Sequence, residues 1–311
     1  MRFEIAWPIV FLAALRISAA QQILPRSSDS DARISVDVDL VVLHATVCDR
    51  HGRLITGLQE QNFEVYEDGA RQPIRLFRHE DVPVTVGLVV DHSGSMRRKL
   101  AEVSAAARTF VQSSNRDDQM FVVNFNEKVS RGLPGAIRFS NDPAELENAI
   151  LNASAGGKTA LYDAIVEALE LLKTSTLDKK VLIVISDGGD NASAHTLNQV
   201  TKLADQSSAI IYTIGIFDDD DPDRNPGVLK RLARATGGEA FFPDKVSASV
   251  EICTRIARDI RNQYTIGYVP TNPTRNGGYR TVRVLAHAPG HGKLIVRTRT
   301  GYIAQGTSNH P

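Results

Sequence analysis

Apolar residues run almost unbroken over positions 84–90 and give way at once to Asp91, Ser93 and Ser95. A run of this length, rich in β-branched side chains, predicts a strand buried on both faces, as in a parallel sheet. From Arg97 the spacing becomes helical, with Leu100, Val103, Ala107, Phe110 and Val111 on one stripe. The alternation continues downstream. Strands are predicted over 120–125, 181–186 and 210–214, with an edge strand over 240–242. Residues 129–139, broken by Gly132-Leu-Pro-Gly135, predict a hairpin. Asp142-Pro-Ala-Glu145 reads as a capping box with proline at the first helical position. Further helices are predicted from Leu161, over 228–236 up to the stop at Gly237, and over 246–261. Such alternation specifies an α/β domain over 82–262, a doubly wound, mostly parallel sheet with helices on both faces.

The ends of the chain follow a different period. Ile34, Val36, Val38, Leu40 and Val42 alternate with other residues, and then Leu43, Ala45 and Val47 carry the apolar face onward. That slip of phase predicts a β-bulge near Val41 and Val42. A turn at 49–52 and short strands over 63–66 and 74–77 follow. Strands return over 264–268, 279–284 and 294–298, with turns at Asn276-Gly277-Gly278 and Pro289-Gly290. The roughly fifty residues of short strands before the α/β domain are few for an independent sandwich, and the strands after it supply a partner. The simplest architecture is one smaller all-β sandwich split in sequence, 33–81 and 263–304, with the α/β domain inserted between its halves. Two separate small β domains are the alternative.

Residues 1–20 read as a secretory signal, with Arg2, an apolar stretch over 5–15 and small residues Ser18-Ala19-Ala20 before a cut. Residues 21–32 read as a flexible leader and 305–311 as a tail. The apolar stretch is shorter than the roughly 20 residues of a spanning helix, and no later stretch could cross a bilayer. The expected product is exported, periplasmic or secreted, with no membrane span in the mature chain.

Charge narrows the partners. The 311 residues hold 36 Lys and Arg against 36 Asp and Glu, so no net charge argues for nucleic acid or an anionic membrane. Cys48 and Cys253 are the only cysteines. Export would permit a disulfide between them, but one ends a strand and the other lies mid-helix, and both are read as free, half-buried thiols. No histidine is placed by sequence to make either a nucleophile.

The chemistry gathers at the end of the first long strand. Asp91, Ser93 and Ser95 stand at alternate positions of one loop, and in open α/β sheets ligands bind at that edge. Three hard oxygens suit Mg²⁺ better than zinc, yet three ligands are too few. Two more loops supply oxygens: Gly156-Gly-Lys-Thr159 before a helix, and Asp187-Gly-Gly-Asp190 after a strand. Asp91-x-Ser93-x-Ser95, Thr159, and Asp187 in Ser-Asp-Gly together resemble the metal-ion-dependent adhesion site of von Willebrand factor A domains, over roughly 82–262. With its flanking β segments the chain also resembles a class of exported bacterial proteins carrying such a domain.

The resemblance implies a cofactor, Mg²⁺ (or Mn²⁺ or Ca²⁺), bound by Ser93, Ser95 and Thr159, with Asp91 and Asp187 acting partly through bridging water. It implies a non-enzymatic, adhesion-type module whose protein partner presents a Glu or Asp carboxylate to the ion. Two carboxylates and three neutral hydroxyls leave a divalent cation with affinity for one more anionic oxygen. Asp190 reads as a solvated loop acid, and His92 as facing solvent or the ligand. Asn124 and Asn126 read as ordinary loop-edge polarity. Asp218–221 with Asp223 reads as a mobile acidic loop rather than a second cation site.

Other chemistries fit less well. A phosphate loop around Lys158 would need glycine at position 152, which is Asn. The enzymatic alternative is an Mg²⁺-dependent phosphate-ester hydrolase using Asp91. Its second acid would belong at the place of Ser93. Nor is Ser93 flanked as in Gly-x-Ser-x-Gly.

Overall fold

The computed structural model describes residues 40–217, 224–274 and 276–304. The signal, the leader, the alternating residues before Leu40, the acidic loop and the tail lie outside the described residues. In chain order the first strands are β1 (Val41–Cys48), β2 (Phe63–Glu67), β3 (Ala70–Gln72), β4 (Ile74–Arg78) and β5 (Val84–Asp91). Then come α1 (Leu100–Gln112), β6 (Gln119–Phe125), β7 (Val129–Arg131), α2 (Pro143–Leu151), α3 (Leu161–Lys173) and β8 (Lys179–Ser186). The domain finishes with α4 (Leu197–Ser207), β9 (Ile210–Gly215), α5 (Pro226–Thr236), β10 (Ala240–Phe241) and α6 (Ser249–Arg261). Last are β11 (Tyr264–Tyr268), β12 (Tyr279–Ala286), β13 (Ile295–Arg297) and β14 (Gly301–Ile303).

One six-stranded sheet has the order β10-β9-β8-β5-β6-β7. All its pairings are parallel except β6 with β7 at the edge. All eight residues of β5 are buried, because helices cover both faces of the sheet. On one side α1 packs against α2 and α6, and on the other α4 packs against α3 and α5. The chain leaves β5 for β6 on one side and later returns to β8 on the other. The C-terminal ends of β5 and β8 therefore flank the point where the direction of winding reverses, which is where open α/β sheets bind ligands.

Two four-stranded antiparallel sheets, β13-β1-β11-β4 and β14-β12-β2-β3, each mix strands from both ends of the chain. Leu43, Val47, Phe63, Val65, Tyr264, Ile266 and Val284 close one apolar core between them. Sandwich and α/β domain belong to one compact unit. The expected bulge at Val41 and Val42 is not there: β1 pairs with β11 without interruption from Val41↔Tyr268 to Ala45↔Tyr264. The irregularity falls instead in β11, between Gly267 and Tyr268 where it meets β4.

Local details also depart from the pattern. The hairpin expected within 129–139 forms between β6 and β7, and only an isolated bridge joins Ser140 to Met120. Asp142 caps α2 by accepting from Ala144 N at 2.7 Å, but Glu145 reaches Ser140 Oγ at 2.6 Å instead of closing a box. Cys48 and Cys253 are free, and both are fully rather than half buried. Burial raises the pKa of both thiols, that of Cys253 to about 12.

Candidate metal centre

Asp91 ends β5 with its side chain wholly buried. One carboxylate oxygen accepts from Ser93 N at 2.8 Å and the other from Ser186 Oγ at 2.7 Å. Burial pushes its pKa up to about 6; the Ser93 and Ser186 hydrogen bonds oppose that rise and the Asp187 charge adds to it. The chain then makes one tight 3-10 turn, Gly94–Met96, before α1. In that turn the Ser93 and Ser95 hydroxyls lie 3.1 Å apart, and Ser95 Oγ donates to Asp187 Oδ2 at 2.5 Å. Asp187 follows β8, and its other oxygen accepts from Gly189 N at 3.0 Å.

Thr159 arrives on a third loop, which backbone bonds stitch to the first. Gly156 N donates to His92 O at 2.8 Å, and Gly94 N to Gly157 O at 3.3 Å. Thr159 is buried, its N–H donating to Asn191 Oδ1 at 2.9 Å and its carbonyl accepting from the Asn191 and Ala192 N–H groups. Gly157 has φ +81°, and a Cβ there would lie 2.5 Å from Glu127 Oε2. No other residue fits so easily at that point of the loop. Side-chain hydrogen bonds thus join Ser93, Ser95 and Asp187 directly. Asp91 sits behind them, tied to Ser93 N and Ser186, and Thr159 stands alongside on its stitched loop.

Two neighbours differ from the sequence expectation. His92 is buried, not turned to solvent, and its Nε2 pairs with Asn124 Oδ1 at 3.1 Å. Asn124 is also buried and passes the chain on to Ala149 O at 2.7 Å. Burial lowers the His92 pKa. Asp190 is not a free loop acid: it accepts from Tyr162 N at 3.1 Å and Ser193 Oγ at 2.6 Å, tying its loop to the start of α3. Asn126 holds Ala160 N through its carbonyl at 2.7 Å. Ser186 and Asn191 were not anticipated as parts of the site.

The donor set fits a hard divalent cation. An octahedron with metal–oxygen distances near 2.05 Å places neighbouring oxygens roughly 2.9 Å apart, close to the spacings within the Ser93, Ser95 and Asp187 group. Neither Asp91 nor Asp187 has a basic ion-pair partner among the described residues. The Asp187 charge adds to the rise in the Asp91 pKa, and two mutually repelling carboxylates are the charge pattern that a divalent ion would compensate. No group of three or more His, Cys, Asp or Glu side chains is placed to hold a metal among the described residues.

A profile of the von Willebrand factor type A domain matches residues 85–254, more than half of the 311-residue chain. Over 173 residues the chain is 25% identical to inter-alpha-trypsin inhibitor heavy chain H2 of Mus musculus, covering 52% of this chain and 18% of that one. A von Willebrand factor type A structure from Catenulispora acidiphila superposes with a TM-score of 0.51 at 14% identity, covering 88% of this chain and 76% of that one. Proximal thread matrix protein 1 from the mussel byssus superposes with a TM-score of 0.50 at 16% identity, covering 63% of this chain and 51% of that one. At such identities the two structures speak to fold alone.

Proposed function

Because the chain belongs to the von Willebrand factor type A domain family, we propose that it is an exported, non-enzymatic protein-binding module that captures a partner's Glu or Asp through a divalent cation. Domains of this family are commonly interaction or adhesion modules and commonly bind such a metal. The ligands would be Asp91, Ser93, Ser95, Thr159 and Asp187. Ser93, Ser95 and Thr159 would offer their hydroxyls directly, Asp91 and Asp187 would act partly through bridging water, and Ser186 would hold Asp91 from behind. A bound Mg²⁺ would supply an open coordination position for an anionic oxygen.

The observation that supports this reading is the hydrogen-bonded group of Ser93, Ser95 and Asp187, built from two loops that are 92 residues apart in sequence. It stands at the reversal point of the sheet, beside the buried Asp91 carboxylate. Among the described residues no helix is long and apolar enough to cross a membrane.

Calorimetric titration with Mg²⁺ tests the ligand set. Thr159→Ala and Asp187→Ala should each weaken binding by at least about tenfold without loss of the folded state by circular dichroism. Unchanged affinity in both removes the reading. Turnover of a phosphate ester that disappears in Asp91→Asn would replace it with a hydrolase.

A further inference from the structure

Beside the Thr159 loop lies a cleft of about 550 Å³, between β7 and the first turns of α3. Val129, Ala160 and Val166 give it an apolar lining. Two of its acids are already satisfied. Glu167 pairs with Arg131 at 2.7 Å. Asp163 accepts from the Ala194 and His195 N–H groups and from His195 Nδ1, at 2.9, 2.9 and 2.7 Å. Glu127 differs from both. It is exposed, makes no ion pair among the described residues, and takes only a long 3.4 Å bond from Lys158 N. Its carboxylate rests against Gly157, so it stands two residues from Thr159 at the border of cleft and metal loop.

We infer that this cleft receives a lysine or arginine of the same partner, a few residues from the acid that reaches the metal. Its aliphatic stem would cover Val129, Ala160 and Val166, and its charged head would meet Glu127. Long basic side chains are suited to such a surface, because they bury the stem and keep the head polar. An apolar side chain would cover Glu127 without a partner. An acidic one would be repelled by Glu127, which, unlike Glu167 with Arg131 and Asp163 with His195, has no ion-pair partner among the described residues. The inference rests on the metal-mediated reading above and adds a second determinant to the partner.

Immobilised protein in Mg²⁺ is offered three hexapeptide libraries, each member carrying one Asp or Glu. The first is otherwise neutral, the second adds one Lys or Arg, and the third adds diaminopropionate, a cation without the stem. Retention released by EDTA is measured for each. The Lys and Arg library should be retained about two- to fivefold better than the neutral one, the range of an exposed ion pair, with the gain shrinking at high salt. In Glu127→Gln, an exposed change, that ratio should fall to about one. Equal retention of the first two libraries, a gain that survives Glu127→Gln, or an equal gain for diaminopropionate would overturn the cleft assignment alone. If no library is released by EDTA and calorimetry detects no bound Mg²⁺, the metal reading itself is overturned.

Discussion

The Asp91 carboxylate is held by two donors in a place closed to solvent, and one of them is the Ser186 hydroxyl. Ser186→Ala leaves that oxygen buried with no partner, at a cost of about 1–3 kcal/mol. Urea unfolding in chelator should show a loss of that size. Mg²⁺ affinity should fall about 10- to 100-fold, because a partner behind a ligand fixes its orientation. If neither changes, Asp91 has another donor to turn to. The sequence pointed to Asp91 and Asp187 because each stands where a long apolar run ends, and to Ser93 and Ser95 because they follow Asp91 at alternate positions of its loop. Ser186 was hidden by the same logic, since it reads as the last residue of its strand. Asn191 meets Thr159 only because two loops approach each other, and no local pattern carries that. His92 was misread because its partner, Asn124, comes from the neighbouring strand β6.

Among the elements, β5 was the most legible, since burial on both faces demands an unbroken apolar run. The helix α4 was missed. Only Val200 and Ala204 are buried along it, so its apolar stripe is too thin to stand out from a polar segment. The short strands β3 and β14 were missed too; each is three residues long and pairs at a sheet edge. Within β5, Gly87 sits where the sheet has no room for a side chain. A Cβ there would lie 2.6 Å from Leu182 Cδ2 and collide with the Phe121 ring. Two effects oppose one another in Gly87→Ala. Replacing glycine inside a strand gains roughly 0.5–1 kcal/mol of backbone entropy, whereas overpacking a dense core costs about 1–3 kcal/mol. Phe121 and Leu182 are themselves fully enclosed, so neither can swing away and the steric cost should win. The urea midpoint should fall in Gly87→Ala and fall further in Gly87→Val; a midpoint equal to the parent's would show that the sheet relaxes there.

At the scale of the folded unit, each end of the chain has too few strands to bury its apolar face alone, and that shortage made the split sandwich readable. The seam between sandwich and α/β domain was not readable, because it is held by charges distant in sequence. Arg297 on β13 pairs with Asp259 of α6 at 2.5 Å and with Glu239, which also pairs with Arg255 at 2.9 Å. Nearby, His44 of β1 lines a small cavity with Asp205, Thr236 and Arg299. Burial, with Lys179 and Arg299 adding positive charge, lowers its pKa from 6.5 to about 3. The folded protein therefore keeps His44 neutral where the unfolded chain would protonate it. The stability linked to this site is fully present above pH 6.5 and is lost as pH falls from 6.5 toward 3, by up to about 1.4 kcal/mol per pH unit. His44→Gln removes the titrating group while keeping a polar side chain beside Thr265, whose hydroxyl lies 3.3 Å from His44 Nδ1. Carboxylates, Asp91 among them, titrate in the same range, so the informative quantity is the difference between parent and variant in urea unfolding free energy from pH 7 to pH 4.5. That difference should move steadily in favour of His44→Gln as the pH drops. A difference independent of pH would mean that His44 takes up its proton in the folded state, and that the seam opens to water at this point.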